Sequence, residues 1–206
     1  LVVAGQIDAS LSDIGADAVK TGMMGSAPVI KAVAASLRAH RIKKLVVDPV
    51  MYAKSGHALL EPRAVAALIR ELLPLALLVT PNAPEAECLS GIKVRDPQSA
   101  RKAARAVCHM GPSFVLLKGG HLDGPVCEDL LFDGSSFTVF RSPRINTRNT
   151  HGTGCTLSAA IAAGLALGLG PREACEGAVK YVGGAIRNSF GLGGGHGPLN
   201  HFWRMK

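Results

Sequence analysis

Aromatic residues are scarce in this chain. They make up 4% of its 206 residues, with one tryptophan. Interleaved rings on which single strands could stack are therefore lacking. The net charge of +8 is scattered apart from short groups such as Arg41-Ile42-Lys43-Lys44, so it points to a phosphate-bearing small molecule and not to nucleic acid. Charged residues amount to 18% against 48% hydrophobic, a globular balance that excludes disorder. No run of about eighteen apolar residues exists, so neither a transmembrane helix nor a membrane partner is expected. A signal-peptide pattern is missing too. The five cysteines (Cys88, Cys108, Cys127, Cys155, Cys175) have no C-x-x-C spacing. An odd, unclustered set argues for a reducing, cytoplasmic setting and against zinc. Methionine does not open the chain; Leu1 does, and the expectation is an incomplete or processed polypeptide. Repeats and linkers are also missing, so residues 1–206 read as one domain.

The most informative segment is Asn146-Thr147-Arg148-Asn149-Thr150-His151-Gly152-Thr153-Gly154-Cys155-Thr156. A helical run of small residues follows it at once. Amides at a helix start have no partner inside the helix and, with the macrodipole, favour anions. Glycine lets that backbone approach a ligand closely. A cysteine placed there is expected to have a lowered pKa and to act as a thiolate. The plain alternative is a small buried hydrophobe, and the remaining cysteines read as packing residues.

Short apolar runs alternate with helical periods. Residues 44–48, 75–80 and 114–117 read as strands covered on both faces, and 17–20 as a further one. Helical spacing joins Val29, Ile30, Val33 and Leu37, and again Val65, Leu68, Ile69, Leu72 and Leu73. Asp96-Pro97 opens a helix over 98–109, and two late helices run over 155–167 and 172–189. Residues 130–132 and 136–140, around Asp133-Gly134-Ser135, read as an antiparallel hairpin. This order predicts an α/β fold of three layers, α/β/α, with a mostly parallel central sheet. Ligands in such sheets bind beyond the carboxyl ends of the strands, where Lys20, Asp48, Asn82, Glu85 and Lys118 fall.

Each of these positions has a bland reading beside the chemical one. Asn82 and Glu85 could face one Mg²⁺ through waters, or could simply cap a helix. Asp48 could bind metal through water or be a turn aspartate. Lys118 is a point charge suited to phosphate, or a solvated lysine before Gly119-Gly120. Met23 and Met24, in the Lys20-Thr21-Gly22-Met23-Met24-Gly25 turn, suit an aromatic ring, though alone they read first as core filler. His196 and His201 lie in a glycine-rich tail that reads as a flexible surface segment. Together, carboxylate, Asn-x-x-Glu, lysine and a glycine-rich helix start form a kit for phosphoryl transfer from a Mg-nucleotide, where charge neutralisation and alignment dominate.

These motifs are recognisable as a set. Val46-Val47-Asp48-Pro49-Val50-Met51 with Ser55-Gly56, Thr80-Pro81-Asn82-Ala83-Pro84-Glu85-Ala86-Glu87, Leu117-Lys118-Gly119-Gly120-His121 and Asn149-Thr150-His151-Gly152-Thr153-Gly154-Cys155-Thr156 resemble the hydroxymethylpyrimidine/phosphomethylpyrimidine kinases of thiamine biosynthesis, in the ribokinase superfamily. Leu11-Ser12-Asp13-Ile14 and Val19-Lys20-Thr21-Gly22-Met23 fit the same pattern. The resemblance implies two ATP-dependent steps, on the hydroxymethyl group and then on the monophosphate. It implies that Cys155 is the base or proton acceptor and that the amides of Gly152, Thr153 and Gly154 stabilise the moving phosphoryl group. Asn82 and Glu85 would hold Mg²⁺, Lys118 would contact the nucleotide phosphates, and Asp48 would assist. Met23 and Val50 would line the pyrimidine pocket. A homodimer is one assembly this reading allows. Relative to that family, an N-terminal strand, a glycine turn and a lid segment are absent, so these 206 residues alone are expected to be poorly active or unstable. The alternatives are a pyridoxine or pyridoxal kinase, a non-catalytic protein on a kinase fold, or a cysteine acyl-transfer enzyme with His151 as base.

Overall fold

The computed structural model describes residues 2–53, 57–121 and 124–205. Ser55 and Gly56, quoted above for the resemblance, lie outside them.

Alternation of β-branched runs and helices builds one six-stranded sheet, ordered β1 (Val19–Thr21), β2 (Leu45–Val47), β3 (Leu78–Val79), β4 (Phe114–Leu117), β5 (Val126–Phe132) and β6 (Phe137–Pro143). Strands β1 to β4 run parallel, β5 pairs antiparallel with β4, and β6 pairs antiparallel with β5. The side-chain period of two divides each strand between two cores. Leu45, Val47, Val79 and Val115 face a core with α2 (Ala27–Ala39) and α3 (Pro62–Ala67). Val46, Leu78, Leu116 and Leu131 face the opposite core, with α6 (Thr153–Ala166) and α7 (Pro171–Arg187). Burial on both faces explains why these runs are continuously apolar, and it confirms the three-layer reading. Helices α6 and α7 pack closely because Gly164 has no side chain; a β-carbon there would lie 3.1 Å from that of Ala174.

Three elements differ from the expectation. Val2–Asp13 forms a helix, α1, that lays Val3, Ile7 and Leu11 against the first core. Those three are spaced i, i+4, i+8, but the helix buries no residue fully, so its apolar stripe is thin. The helix of residues 65–73 leaves α geometry at Leu68–Leu72, a π turn, and ends in a 3₁₀ turn at Leu73–Leu75. Pro74 lacks the amide needed to continue it. The strand expected over 75–80 consequently shrinks to Leu78–Val79. The third difference is α4 (Ala83–Ser90), whose start was foreseen only as the capping alternative for Asn82 and Glu85. Helix α5 (Pro97–Cys108) begins where Asp96 predicted, with the Asp96 carboxylate accepting from the Ser99 amide at 2.7 Å.

Candidate active site

Four strand ends and one helix start converge on Asp48. The chain leaves β2 at Asp48, whose side chain is buried to 1% exposure. A bare carboxylate there would be costly, and the surroundings compensate it on both oxygens. On Oδ1, Lys118 donates from Nζ at 3.0 Å and Thr80 from Oγ1 at 3.3 Å. Near Oδ2 lie Lys20 Nζ at 3.7 Å and Ser158 Oγ at 3.2 Å. Lys20 comes from the end of β1, Thr80 from that of β3 and Lys118 from that of β4, as the parallel topology dictates.

Lys118 also reaches Glu85 Oε2 at 3.7 Å. Glu85 and Asn82 form a reciprocal capping box: Glu85 N–H donates to Asn82 Oδ1 at 2.9 Å, and Asn82 N–H donates to Glu85 Oε2 at 2.8 Å. The bland reading of that pair is thus correct as far as it goes. Burial raises the Glu85 pKa, while Lys118 pulls it down.

The helix start faces the same point. Gly152, the N-cap of α6, occupies the left-handed region with φ 80°, which suits glycine, and brings no side-chain cap of its own. The amides of its first turn lack helical acceptors, although Thr153 N–H makes a long 3.5 Å bond to the Thr150 carbonyl. Gly154 lies against the lysine: a β-carbon there would sit 3.2 Å from Lys118 Nζ. Cys155 is exposed. Its thiol pKa is raised, not lowered as expected. Burial disfavours the thiolate first and the Asp48 charge second, outweighing Lys20 and Lys118.

These groups open on a cleft of about 1130 Å³, lined among others by Asp48, Val50, Asn82, Glu85, Lys118 and residues 150–155. The structure therefore brings together every site residue read from the sequence except Met23. Met23 is 57% exposed on the turn after β1 and does not line that cleft. Sequence reading missed Thr80, Ser158 and Asp129 altogether, and it gave Lys20 no role. Asp129 accepts from the Gly119 amide at 2.8 Å, pinning the turn that follows Lys118, and burial raises its pKa. The available signal was a carboxylate inside the apolar β5 run. The packing reading of the other cysteines holds for Cys175, fully buried with its thiol pushed up to about 12. It fails for Cys88, which is exposed, and for Cys127, which lines the cleft.

The glycine-rich tail is not detached. His151 N–H donates to the Gly197 carbonyl at 3.1 Å, and His196 Nδ1 lies 3.3 Å from the Arg148 carbonyl. Neither His196 nor His201 lines the cleft.

Among the described residues, no three His, Cys, Asp or Glu side chains converge as a metal-holding group. The oxygen donors Asn82 and Glu85 still fit a hard ion that keeps most of its waters, since their committed atoms leave them outer-sphere partners. No helix among the described residues is long and apolar enough to cross a membrane.

A parallel sheet carrying a lysine–carboxylate cluster and an open helix start at its carboxyl edge defines a ribokinase-like kinase. The Phosphomethylpyrimidine kinase family model matches residues 1–200, and the chain belongs to that family. It is 50% identical over 206 residues to the hydroxymethylpyrimidine/phosphomethylpyrimidine kinase of Rhizobium meliloti, covering 98% of this chain and 77% of that protein. It is 53% identical to the thiamine biosynthesis bifunctional protein ThiED of Geobacter sulfurreducens, with 97% of this chain matched to only 41% of that longer protein. Among solved structures, the pyridoxal kinase of Staphylococcus aureus in complex with AMP-PCP and pyridoxal superposes with a TM-score of 0.90 at 37% identity, covering 98% of this chain and 73% of that one.

Proposed function

We propose that this chain transfers the γ-phosphoryl group of ATP to the hydroxymethyl group of hydroxymethylpyrimidine and then to the resulting monophosphate. The supporting observation is the convergence of Lys118, Asp48, Glu85, Cys155 and the first-turn amides of α6 on one cleft. Lys118 and the amides of Gly152, Thr153 and Gly154 neutralise the moving phosphoryl group, in a reaction that needs alignment more than covalent help. Asp48 fixes Lys118 in place. Cys155 holds the incoming alcohol and accepts its proton as the new O–P bond forms. Only the thiolate form of Cys155 accepts that proton, and because its pKa is raised this form is a minor fraction at neutral pH; a loose transition state, which removes the proton late, lessens the demand on it. Asn82 and Glu85 would hold Mg²⁺ through water, and the ion when bound would offset phosphate charge. Val50 lines the ring pocket, while Met23, exposed on the turn after β1, stands outside the cleft.

Relatives at 50% identity and above carry pyrimidine-kinase or thiamine-biosynthesis names, which favours the pyrimidine over the vitamin-B6 acceptor. One observation supports the second reading: the 37% identical pyridoxal kinase shares the fold at a TM-score of 0.90. Measuring ADP release with hydroxymethylpyrimidine, its monophosphate and pyridoxal as separate acceptors decides between them. Turnover confined to pyridoxal would reject the pyrimidine assignment.

A further inference from the structure

We infer that Lys20 is the cation that receives the acceptor's own phosphate in the second phosphorylation, and so distinguishes that step from the first. This rests on the two-step reading above.

Asp48 is held by two ammonium groups where one would neutralise it. Lys118 approaches one oxygen at 3.0 Å and is shared with Glu85 at 3.7 Å. It abuts the start of α6 at Gly154. Its charge is committed to the donor side. Lys20 approaches the other oxygen at 3.7 Å, a loose ion pair beyond hydrogen-bond length. Its side chain keeps 21% exposure against 13% for Lys118. The chain makes room for it: a β-carbon on Gly22 would stand 3.0 Å from Lys20 Nζ. Lys20 is also one of the charges felt by the Cys155 thiol, so it lies near the sulfur that meets the acceptor.

The two lysines serve different spaces. Lys118 lines the large cleft, whereas Lys20 lines a separate groove of about 420 Å³ beside β1, with Thr21, Gly22 and Met24. Thr21 Oγ1 is buried there without a hydrogen-bond partner among the described residues, so this groove offers a polar atom as well as a charge. Lys20 thus stands on the Oδ2 side of Asp48 and Lys118 on the Oδ1 side.

The chemistry separates the steps further. In the first, the alcohol oxygen bonds to the γ-phosphorus, the bond to ADP breaks with its electron pair leaving on ADP, and the alcohol proton needs an acceptor. In the second, an oxygen of the acceptor phosphate bonds to the γ-phosphorus and ADP leaves in the same way. That oxygen is mostly ionised already, since a phosphate monoester loses its second proton near pH 6. No base is required, but two anions must be brought together. The second step thus depends on an additional cation and the first on a proton acceptor.

The test uses the full chain with Lys20→Met, Lys20→Gln and Lys20→Arg. ADP release is followed with hydroxymethylpyrimidine and separately with its monophosphate, and monophosphate binding is titrated calorimetrically. The expected result is a fall in kcat/KM of roughly 30-fold or more for the monophosphate, as for a lost charge-assisted hydrogen bond. The fall for the alcohol is at least ten times smaller, and arginine restores most of the loss. Binding of the monophosphate weakens in parallel and loses salt dependence. Equal losses on both acceptors, or no loss on the monophosphate, would overturn the role of Lys20 while leaving the kinase reading intact. If the unmodified chain neither binds nor phosphorylates either pyrimidine, the two-step reading itself fails, and this inference with it.

Discussion

Lys118 Nζ and Asp48 Oδ1 meet at 3.0 Å across seventy residues of sequence, and the Asp48 side chain is 1% exposed. A buried carboxylate between two lysines is a structural commitment, because removing either sign strands the other. Asp48→Ala is therefore expected to destabilise the chain by about 3 kcal/mol or more, the usual cost of breaking a buried ion pair. Lys118→Met leaves Asp48 with Lys20, Thr80 and Ser158, so its stability loss is smaller than that of Asp48→Ala. Its main effect falls on KM for ATP. Thermal unfolding and ATP titration of the two variants check this; equal stability losses would contradict it.

Two glycines near Lys118 predict opposite failures. A β-carbon on Gly119 would collide with the Glu128 carbonyl oxygen. That obstacle is backbone of the adjacent strand, so Gly119→Ala must shift β5 and is expected to fold poorly. At Gly154 the obstacle is the ammonium end of Lys118, at 3.2 Å. Gly154→Ala is expected to fold with stability within about 1 kcal/mol of the parent, since helix propensity favours alanine. The displaced lysine should lower ATP affinity instead. Circular dichroism melts and nucleotide titration separate the cases. A stable, active Gly119→Ala variant would count against the packing described.

The Cys155 thiol gives a pH prediction with a definite sign. Burial and the Asp48 charge disfavour the thiolate, so the inflection moves to the alkaline side of a free thiol. If the sulfur accepts the proton of the alcohol, the rate on hydroxymethylpyrimidine keeps rising past the pH at which a free thiol would level off. A lowered pKa would give a plateau already reached at neutral pH. Cys155→Ser should remove the rise and lower kcat by about 10²-fold or more, as for loss of a positioned acid–base group. Rate–pH profiles of the parent and Cys155→Ser, measured on the alcohol acceptor, carry the comparison. An unchanged profile in the serine variant would remove Cys155 from proton transfer.

Much of this was legible in the sequence, and for identifiable reasons. Strands buried on both faces leave continuous apolar runs, so β2 and β4 were found within a residue or two. Parallel topology places their carboxyl ends together, which located Asp48, Asn82, Glu85 and Lys118 before any coordinates. What stayed hidden depends on the third dimension. Ser158 is one small polar residue within a helix of small residues, and nothing in its neighbours marks the carboxylate it touches 110 residues away. The direction of the Cys155 shift was also unreadable. A helix start predicts one sign and burial beside Asp48 the other, and only the packed site tells which prevails. Helix α1 was overlooked because a stripe of three apolar residues on an otherwise exposed helix is a weak periodic signal.

The tail supplies the last prediction. Gly197 sits so close to Asn149 that an added β-carbon would overlap its side-chain oxygen, at 2.1 Å. The Gly197 carbonyl also accepts from the His151 amide at 3.1 Å. Asn149 in turn is held by Thr147 Oγ1, 3.1 Å from its amide, and donates from Nδ2 to Ser189 Oγ at 3.3 Å. The loop that delivers Gly152 to the start of α6 is thus clamped from the carboxyl side of the chain. Gly197→Ala must displace either the tail or Asn149. Residues 191–196 are exposed, but Gly197 is buried and Leu199 beside it is 3% exposed, so some stability is lost while the larger effect stays local. The loop should loosen, with faster amide exchange over residues 146–152 and a lower kcat from a misplaced phosphoryl cradle, since small displacements in a positioned site are costly. Hydrogen exchange and turnover on one preparation test both halves. Unchanged exchange in that loop would mean that the tail rests on it without holding it.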